Sequence, residues 1–268
     1  MTSNQHKYDN LLRQQKNLWY RTLVNTIILI LIIIISFAIV GLLDINRLSE
    51  GIPDLLQMVA QMLPPDFTRV HDWIEPLIDT LAMSIAGTGM AIIFSLPIAL
   101  GAAQNTSPHP LIYFISRIIL NIARAIPELL LGIIFVAAVG FGALPGVLAL
   151  GFHSIGMVGK FFAESIEHTD KAPIEAAKSV GANQLQIIFN CILPQVLPQI
   201  ADVTFYRWEY NFRASLVLGA VGAGGIGFEI IGALRLLKYQ EVSALLLVVL
   251  VMVTLVDSLG NFLRKKFI

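Results

Sequence analysis

Apolar residues occur along this chain in several long runs that contain no charged position. The first run extends over 22 residues, from Thr22 to Leu43. About 20 apolar residues are enough for a helix to cross the hydrocarbon core of a bilayer. Further charge-free runs cover residues 80–116, 129–159, 179–201 and 242–256. The pattern therefore predicts a polytopic membrane protein.

Clusters of proline and glycine divide two of these runs. Residues 105–110 read NTSPHP and residues 140–146 read GFGALPG, and such clusters interrupt helices. The prediction is an all-α chain with six transmembrane helices. They cover approximately residues 22–43, 77–103, 111–139, 145–166, 185–206 and 241–262.

Composition and net charge narrow the class further. Hydrophobic residues make up 56% of the chain and charged residues 13%, with a mean hydropathy of +0.75, far from the composition of a soluble domain. The net charge is zero and long basic runs are absent, which argues against a nucleic-acid partner. The single Cys191 excludes an internal disulfide.

The distribution of Lys and Arg predicts the orientation in the membrane. Residues 1–21 carry four basic side chains and one acid, and residues 264–266 are all basic. Because Lys and Arg concentrate on the cytoplasmic side, we expect both termini in the cytoplasm, as an even number of spans requires. Residues 44–79 contain seven acids and two arginines, which fits an external segment.

The external segment contains a second pattern. Residues 52–63, IPDLLQMVAQML, place apolar side chains at helical spacing, which predicts a helix on the outer membrane surface. We divide the chain into residues 1–75, comprising the cytoplasmic N-terminus, the first span and this amphipathic helix, and residues 76–268, a core of five spans. His71, Asp72 and Glu75 are scattered in an acidic segment, so we predict no metal site there.

The loop at residues 168–184 contains residues that favour a short helix. Thr169 or Asp170 is placed to cap a helix, and Gly181 is placed to end it. Small residues on one side of this short helix suit the groove of a partner protein. A simple surface helix is the alternative.

The sequence from this loop onward, EAAKSVGANQLQIIFNCILP, resembles the EAA motif of ABC importer permeases. Cys191 replaces the isoleucine that is usual at that position. The resemblance implies a type I permease fold in which this loop is a cytoplasmic coupling helix that docks in a cleft of an ATPase subunit. The residues implied in ATPase coupling are Glu175, Ala176, Ala177 and Gly181.

Two further blocks, ARAIPELL at 123–130 and YRWEYNFRASLVLGAVGAGGIGFE at 206–229, are similar to permeases of phosphonate and phosphite uptake. This resemblance implies import of one of these anions across the bacterial inner membrane by a homodimer. It also implies membrane lipid, two cytoplasmic ATPase subunits and a periplasmic or lipid-anchored binding protein as partners. The alternatives are a permease for methionine or another small solute and, in a different class, a secondary transporter or membrane enzyme without an ATPase.

The chain does not contain the phosphate-binding pattern GxxxxGK[ST], because Phe161 follows Gly159 and Lys160. We therefore expect it not to be an enzyme itself and to bind no cofactor. ATP and Mg²⁺ would be bound by the partner ATPase.

The stretch VGAGGIGFE, residues 221–229, matches the dinucleotide pattern GxGxxG. It lacks the preceding strand and the acidic residue about 20 positions on that such a site needs. We interpret it as a glycine-rich break between the fifth and sixth spans. The resemblance implies an outer gate here, which would include Gly222, Gly224, Gly225 and Gly227.

Charged residues at membrane depth are costly, so each is a candidate for function. Arg124 and Glu128 stand four positions apart around Pro127, where they would pair on one helix face or line the translocation pathway. Glu209 and Arg213, also four apart, suggest an outer-gate network or weak contacts to a passing anion. His153 and Ser154 are interpreted as a small polar pair at a helix contact.

Overall fold

The structure is a computed structural model that describes residues 2–267, with side chains described for residues 15, 16 and 18–266. All regular secondary structure in this part of the chain is helical, which confirms the predicted all-α class. The helices are α1 (Thr2–Ile39), α2 (Ile45–Gln61), α3 (Ile74–Ala102), α4 (Pro110–Ala125), α5 (Glu128–Val139), α6 (Ala143–Glu167), α7 (Lys171–Ser179), α8 (Gln184–Ile187), α9 (Leu193–Gly219), α10 (Gly225–Arg235) and α11 (Tyr239–Phe267).

The chain divides into two compact units, the first ending at Gln61 and the second beginning at Met62. The first unit contains α1, with an exposed apolar stretch over Leu18–Ile39, and α2, none of whose residues is buried. The second unit contains α3 to α11. Residues 62–75, which the prediction placed with the first span, belong to the second unit, where Ser243 of α11 donates to the Met62 carbonyl at 2.6 Å.

Five helical segments in the described part of the chain are long and apolar enough to cross a membrane, and a bent helix pair brings the number to six. The number and order agree with the predicted spans. The five are Leu18–Ile39, Val70–Ala102, Ala143–Glu167, Gln184–Gly219 and Tyr239–Lys266, and the bent pair is Pro110–Ala125 with Glu128–Val139.

The third span is not the continuous helix that was predicted. α4 and α5 meet at an angle of 86°. Ile126 has an extended backbone, with φ −88° and ψ 120°, because the ring of Pro127 disfavours a helical conformation of the preceding residue. The predicted span over 111–139 is therefore formed by two helices and not by one.

The fifth span is longer than predicted and does not end at residue 206. A π-helical turn, Ile188–Ile192, joins α8 to α9, and α9 continues to Gly219. The prediction ended this span at residue 206, before the charged residues Arg207, Glu209 and Arg213. The helix continues through them because neighbouring helices supply their polar partners, described below.

Small residues bring the spanning helices of the second unit together. A Cβ atom added to Gly87 of α3 would lie 2.9 Å from the Cβ of Leu150 of α6, and one added to Gly156 of α6 would lie 2.5 Å from the backbone nitrogen of Arg124 in α4. Close contact at small residues is typical of helix packing in membranes. α3, α4 and α6 therefore form the closely packed centre of this unit.

Polar contacts fix which helix ends lie together. At one end of the second unit, the backbone nitrogen of Gln104 after α3 donates to Glu167, the last residue of α6, at 2.9 Å. At the other end, Arg69 before α3 donates to Asp72 at 2.9 Å and to Glu241 at the start of α11 at 2.7 Å. Two contacts raise the pKa of Arg69. The hydrogen bond to Asp72 has the larger effect, and the negative charge of Glu241 has the second largest. α3 and α6 thus run parallel, with their C-terminal ends on the side of α7.

Candidate coupling and translocation site

The EAA sequence forms a short exposed helix, α7. The Asp170 carboxylate accepts a hydrogen bond from the Ala172 nitrogen at 3.0 Å, so Asp170 and not Thr169 is the cap. Gly181 has a φ of +83°, and the Ala182 nitrogen after it donates to the Ala177 carbonyl at 3.0 Å. This left-handed glycine ends the helix as predicted.

α7 is connected to the base of α9. Gln195 Oε1 accepts from the Asp170 nitrogen at 2.9 Å, and Cys191 Sγ lies 3.6 Å from the Pro173 carbonyl. Ile174 and Ala177 pack against the core, whereas Glu175 and Ala176 are exposed, like the rest of the helix surface. These contacts fix α7 to the π-helical turn and to α9, and the outer face of α7 is exposed.

A buried polar network lies near the middle of α6 and α9. Asn211 Nδ2 donates to Thr88 Oγ1 at 2.9 Å, and Ser154 Oγ donates to Asn211 Oδ1 at 3.1 Å. Arg207 Nε donates to Ser154 Oγ at 2.8 Å, and its guanidinium lies 4.2 Å from the centre of the Tyr210 ring.

Arg207 in this network is 4% exposed. Its Nη2 has no hydrogen-bond partner among the described residues. Because a buried polar group without a partner is costly, this nitrogen is a candidate contact for a passing anion. Midplane broken helices and polar groups are common features of transporter pathways.

Glu128 lies at the break between α4 and α5 and joins three helices. Its carboxylate accepts from the Tyr210 hydroxyl of α9 at 2.7 Å and lies 3.2 Å from His153 Nε2 of α6. His153 Nδ1 is 3.0 Å from the Ile126 carbonyl; because a carbonyl only accepts, Nδ1 carries the hydrogen in this contact. These bonds hold the start of α5 against α6 and α9.

Arg124 and Glu128 do not pair, contrary to one of the two predicted arrangements. The 86° break separates the helix faces that carry them. Arg124 has no hydrogen bond or ion pair with any residue that the structure describes and lines a cavity between α4 and α6. The pathway role predicted for Arg124, Pro127 and Glu128 stays a prediction.

Glu209 and Arg213 pair with α11 rather than with each other's side chains. Glu209 Oε1 accepts from Arg264 Nη2 at 2.6 Å, and Arg213 Nη2 lies 3.2 Å from Asp257 Oδ1. Glu209 lies ten residues before Gly219 on α9, about 15 Å along the helix axis. Glu209 contacts the C-terminal part of α11. It does not contact the glycine-rich segment, where the outer gate was predicted.

The glycine-rich segment is a tight turn between α9 and α10. Gly222, Gly224 and Gly225 have φ values of +95°, +74° and +70°, a region that side chains other than glycine rarely adopt. The Gly222 carbonyl accepts from the Gly142 nitrogen at 3.1 Å. Gly227 packs against the backbone of Leu216. No strand precedes the turn in the described residues, so the geometry of a dinucleotide site is absent there.

Several polar residues that the sequence alone did not connect lie together in the structure. His153 and Ser154 were interpreted as a packing pair, yet they connect Glu128 with Arg207. Neither Tyr210 nor Asn211 was predicted to join this network. The available signal was the spacing of polar residues 207, 210 and 211, which lie on one face of a helix.

Residues 95–268 match the family described as binding-protein-dependent transport system inner membrane component. The chain is 59% identical over 249 residues to the phosphite transport system permease protein PtxC of Stutzerimonas stutzeri, covering 93% of this chain and 90% of that protein. It is 40% identical over 220 residues to the phosphate-import permease protein PhnE of Mycolicibacterium smegmatis, covering 82% of this chain and 41% of that one.

Among solved structures, the inward-facing MetNI methionine ABC transporter is similar, with a TM-score of 0.62 at 21% identity over 73% of this chain and 96% of that chain. The fold is therefore that of type I ABC importer permeases. The chain belongs to the binding-protein-dependent transport system inner membrane components. Membership in this class implies an ATPase and a substrate-binding protein as partners.

Proposed function

We propose that this chain is the permease subunit of an ABC importer that moves phosphite or a related phosphonate into the cell. The observation that carries the proposal is the 59% identity to a phosphite permease over 93% of the chain. The buried Arg207 supports it, because a guanidinium matches the geometry of a phosphorus oxyanion.

In the mechanism that we propose, the partner ATPases close on binding ATP and displace α7. Glu175, Ala176, Ala177 and Gly181 form or position the surface that they contact. Displacement of α7 moves the base of α9 through the contacts of Gln195 and Cys191. The permease then alternates between two states, and differential ATP binding supplies the bias between them.

The groups that line the proposed pathway lie on the elements that move. α9 carries Arg207 and Arg213, and its Tyr210 holds Glu128 at the start of α5. Tilting α9 would break the contact of Tyr210 with Glu128 and leave the Arg207 guanidinium accessible to the anion. The turn at residues 222–227, including Gly224 and Gly225, forms the proposed gate at the outer end.

The assembly that we propose contains two copies of this chain, two cytoplasmic ATPase subunits and a periplasmic or lipid-anchored binding protein. Two copies would face each other across the pathway. ATP and Mg²⁺ would bind to the ATPase subunits, and this chain would hold no cofactor and catalyse no reaction. Both termini would lie on the cytoplasmic side of the bacterial inner membrane.

Growth on defined phosphorus sources tests the substrate. A host lacking this chain, with and without the restored chain, is grown on methylphosphonate, 2-aminoethylphosphonate, phosphite or phosphate. We expect the deletion to stop growth on phosphite or a phosphonate but not on phosphate. Equal growth of both strains on all four sources would refute the substrate assignment, and methionine uptake would then be measured.

A further inference from the structure

A cavity of about 260 Å³ lies between α4 and α6, on the side of the molecule that carries α7. Its polar lining consists of Arg117, Asn121 and Arg124 from α4 with Lys160 and Glu164 from α6. Since one water occupies about 30 Å³ of liquid, the cavity has room for a small tetrahedral ion and several waters. Three cationic side chains and one acid make the lining electropositive.

The three cations differ in how far they are neutralised. Arg117 Nη2 is 2.9 Å from Glu167, and Lys160 Nζ is 3.5 Å from Glu164. Arg124 has neither an acidic neighbour within ion-pair distance nor a hydrogen bond among the described residues. An unpaired guanidinium facing a cavity retains its donors for a ligand.

The cavity extends from the end of the bundle toward the buried polar network. Arg117 lies beside Glu167, the last residue of α6, whereas the Arg124 backbone lies against Gly156. Gly156 is two positions after Ser154, which bonds to Arg207. Arg124 therefore stands within about one helical turn of the level of the Arg207 network.

We propose that this cavity binds the transported phosphorus oxyanion on the inner half of its path, with Arg124 as the principal contact and Lys160 and Asn121 as additional donors. The inference rests on the proposed function. Arg124 accepts the ion after it leaves Arg207, and Arg117 marks the exit. Because Arg117 and Lys160 already have acidic partners, the site holds the ion weakly enough to release it.

A phospholipid head group offers the same oxyanion chemistry. The depth of Arg124 favours the transported ion, because Arg124 lies near the middle of the span and head groups lie at its end. The test must nevertheless separate the two sources of oxyanion.

The experiment uses the purified intact transporter in nanodiscs of neutral lipid without anionic lipid. Phosphite binding is followed by ³¹P line broadening in the unaltered protein and in the Arg124→Gln and Lys160→Gln variants. Lys265→Gln is the matched control, since it removes the charge of an exposed lysine outside the cavity. We expect Arg124→Gln to weaken phosphite binding about tenfold or more, Lys160→Gln to weaken it less, and the control to leave it unchanged.

A second arm measures retention of phosphatidylglycerol by native mass spectrometry in the same variants, purified from membranes that contain this lipid. Loss of bound phosphatidylglycerol in Arg124→Gln with unchanged phosphite binding would overturn the proposal in favour of a lipid site. Unchanged phosphite binding and unchanged phosphatidylglycerol retention would also overturn it. If the unaltered transporter imports no phosphorus oxyanion at all, the proposed function itself fails; if it does import one and Arg124→Gln binds and transports phosphite equally well, only the cavity assignment fails.

Discussion

Arg207 lies near the middle of a spanning helix, in surroundings that are unusual for an arginine. The residue is 4% exposed, with Nε bonded to Ser154 and Nη2 unpaired among the described residues. Buried polar atoms without a hydrogen-bond partner are rare and call for an explanation. The proposed role of Arg207 in transport rests on this unpaired nitrogen.

Replacing Arg207 by Met retains most of the side-chain volume and removes the guanidinium. We expect phosphite uptake to fall about tenfold or more, because a hydrogen bond to a charged ligand contributes about 1.5–3 kcal/mol. Initial uptake rates in proteoliposomes measure this. Arg235→Gln, at an exposed arginine at the end of α10, is the control. Equal rates in the two variants, at equal protein content, would contradict the role of Arg207.

Gly156 permits the close contact of α6 with α4. A Cβ at this position would lie 2.5 Å from the Arg124 nitrogen and 2.6 Å from the Leu120 carbonyl oxygen, both backbone atoms. Gly156→Ala should therefore destabilise the fold by about 1–3 kcal/mol. Gly89→Ala is the control, because no atom outside the local helix backbone lies within 4 Å of a Cβ there. If neither substitution changes the midpoint of thermal unfolding, α4 and α6 are not packed as the structure shows.

At the scale of elements, α7 is the part that the sequence predicts best. Its cap, length and terminal glycine follow from local signals, and Gly181 is at the left-handed position that ends the helix. The same local signals do not show that α7 is fixed to α9. That connection depends on Gln195 and Cys191, which meet α7 only after the chain folds.

The conformation of Gly181 yields a prediction for coupling. Gly181→Pro cannot adopt the observed φ of +83°, so we expect it to displace α7 and to abolish ATP-driven uptake. Gly181→Asn, whose side chain tolerates the left-handed region, should retain most of the uptake. Both variants are compared for membrane insertion and for uptake in cells. Full uptake by a correctly inserted Gly181→Pro variant would exclude α7 as the coupling element.

The sequence pattern did not predict the bend in the third span or the end of the fifth span. Pro127 was visible in the sequence, but the apolar stretches of α4 and α5 were interpreted as one span, and the bend of 86° between them was not predicted. The end of the fifth span was misplaced because Arg207, Glu209 and Arg213 resemble residues at a membrane boundary. Their partners lie on other helices, as with Glu209 and Arg264, and single-sequence patterns do not reveal such pairing.

At the scale of the whole molecule, the class, the number of spans and the helical fold were predicted from hydrophobic runs and the EAA motif. The mid-membrane network was not, because it joins residues far apart in the chain. Glu128 and Tyr210 are 82 positions apart, and Thr88 and Asn211 are 123 apart. Local periodicity carries no information about contacts at such separations.

The proposed homodimer gives a prediction about assembly. Two differently tagged copies of this chain, expressed together with the partner subunits, should copurify, because each transporter would contain both. Mass measurement of the intact complex should then show two copies of the permease. Recovery of one copy of this chain paired with a different permease chain would contradict the homodimer and leave the fold unaffected.

The most direct test of the central claim is phosphite transport by the reconstituted assembly. The purified chain, its ATPase and its binding protein are placed in proteoliposomes with ATP and Mg²⁺ on the ATPase side, and ³³P-labelled phosphite is added on the other side with the binding protein. The account predicts accumulation that requires ATP and this chain, and that is lost in Gly181→Pro. Accumulation without ATP, or no phosphite transport by an assembly that hydrolyses ATP and imports methionine instead, would contradict it.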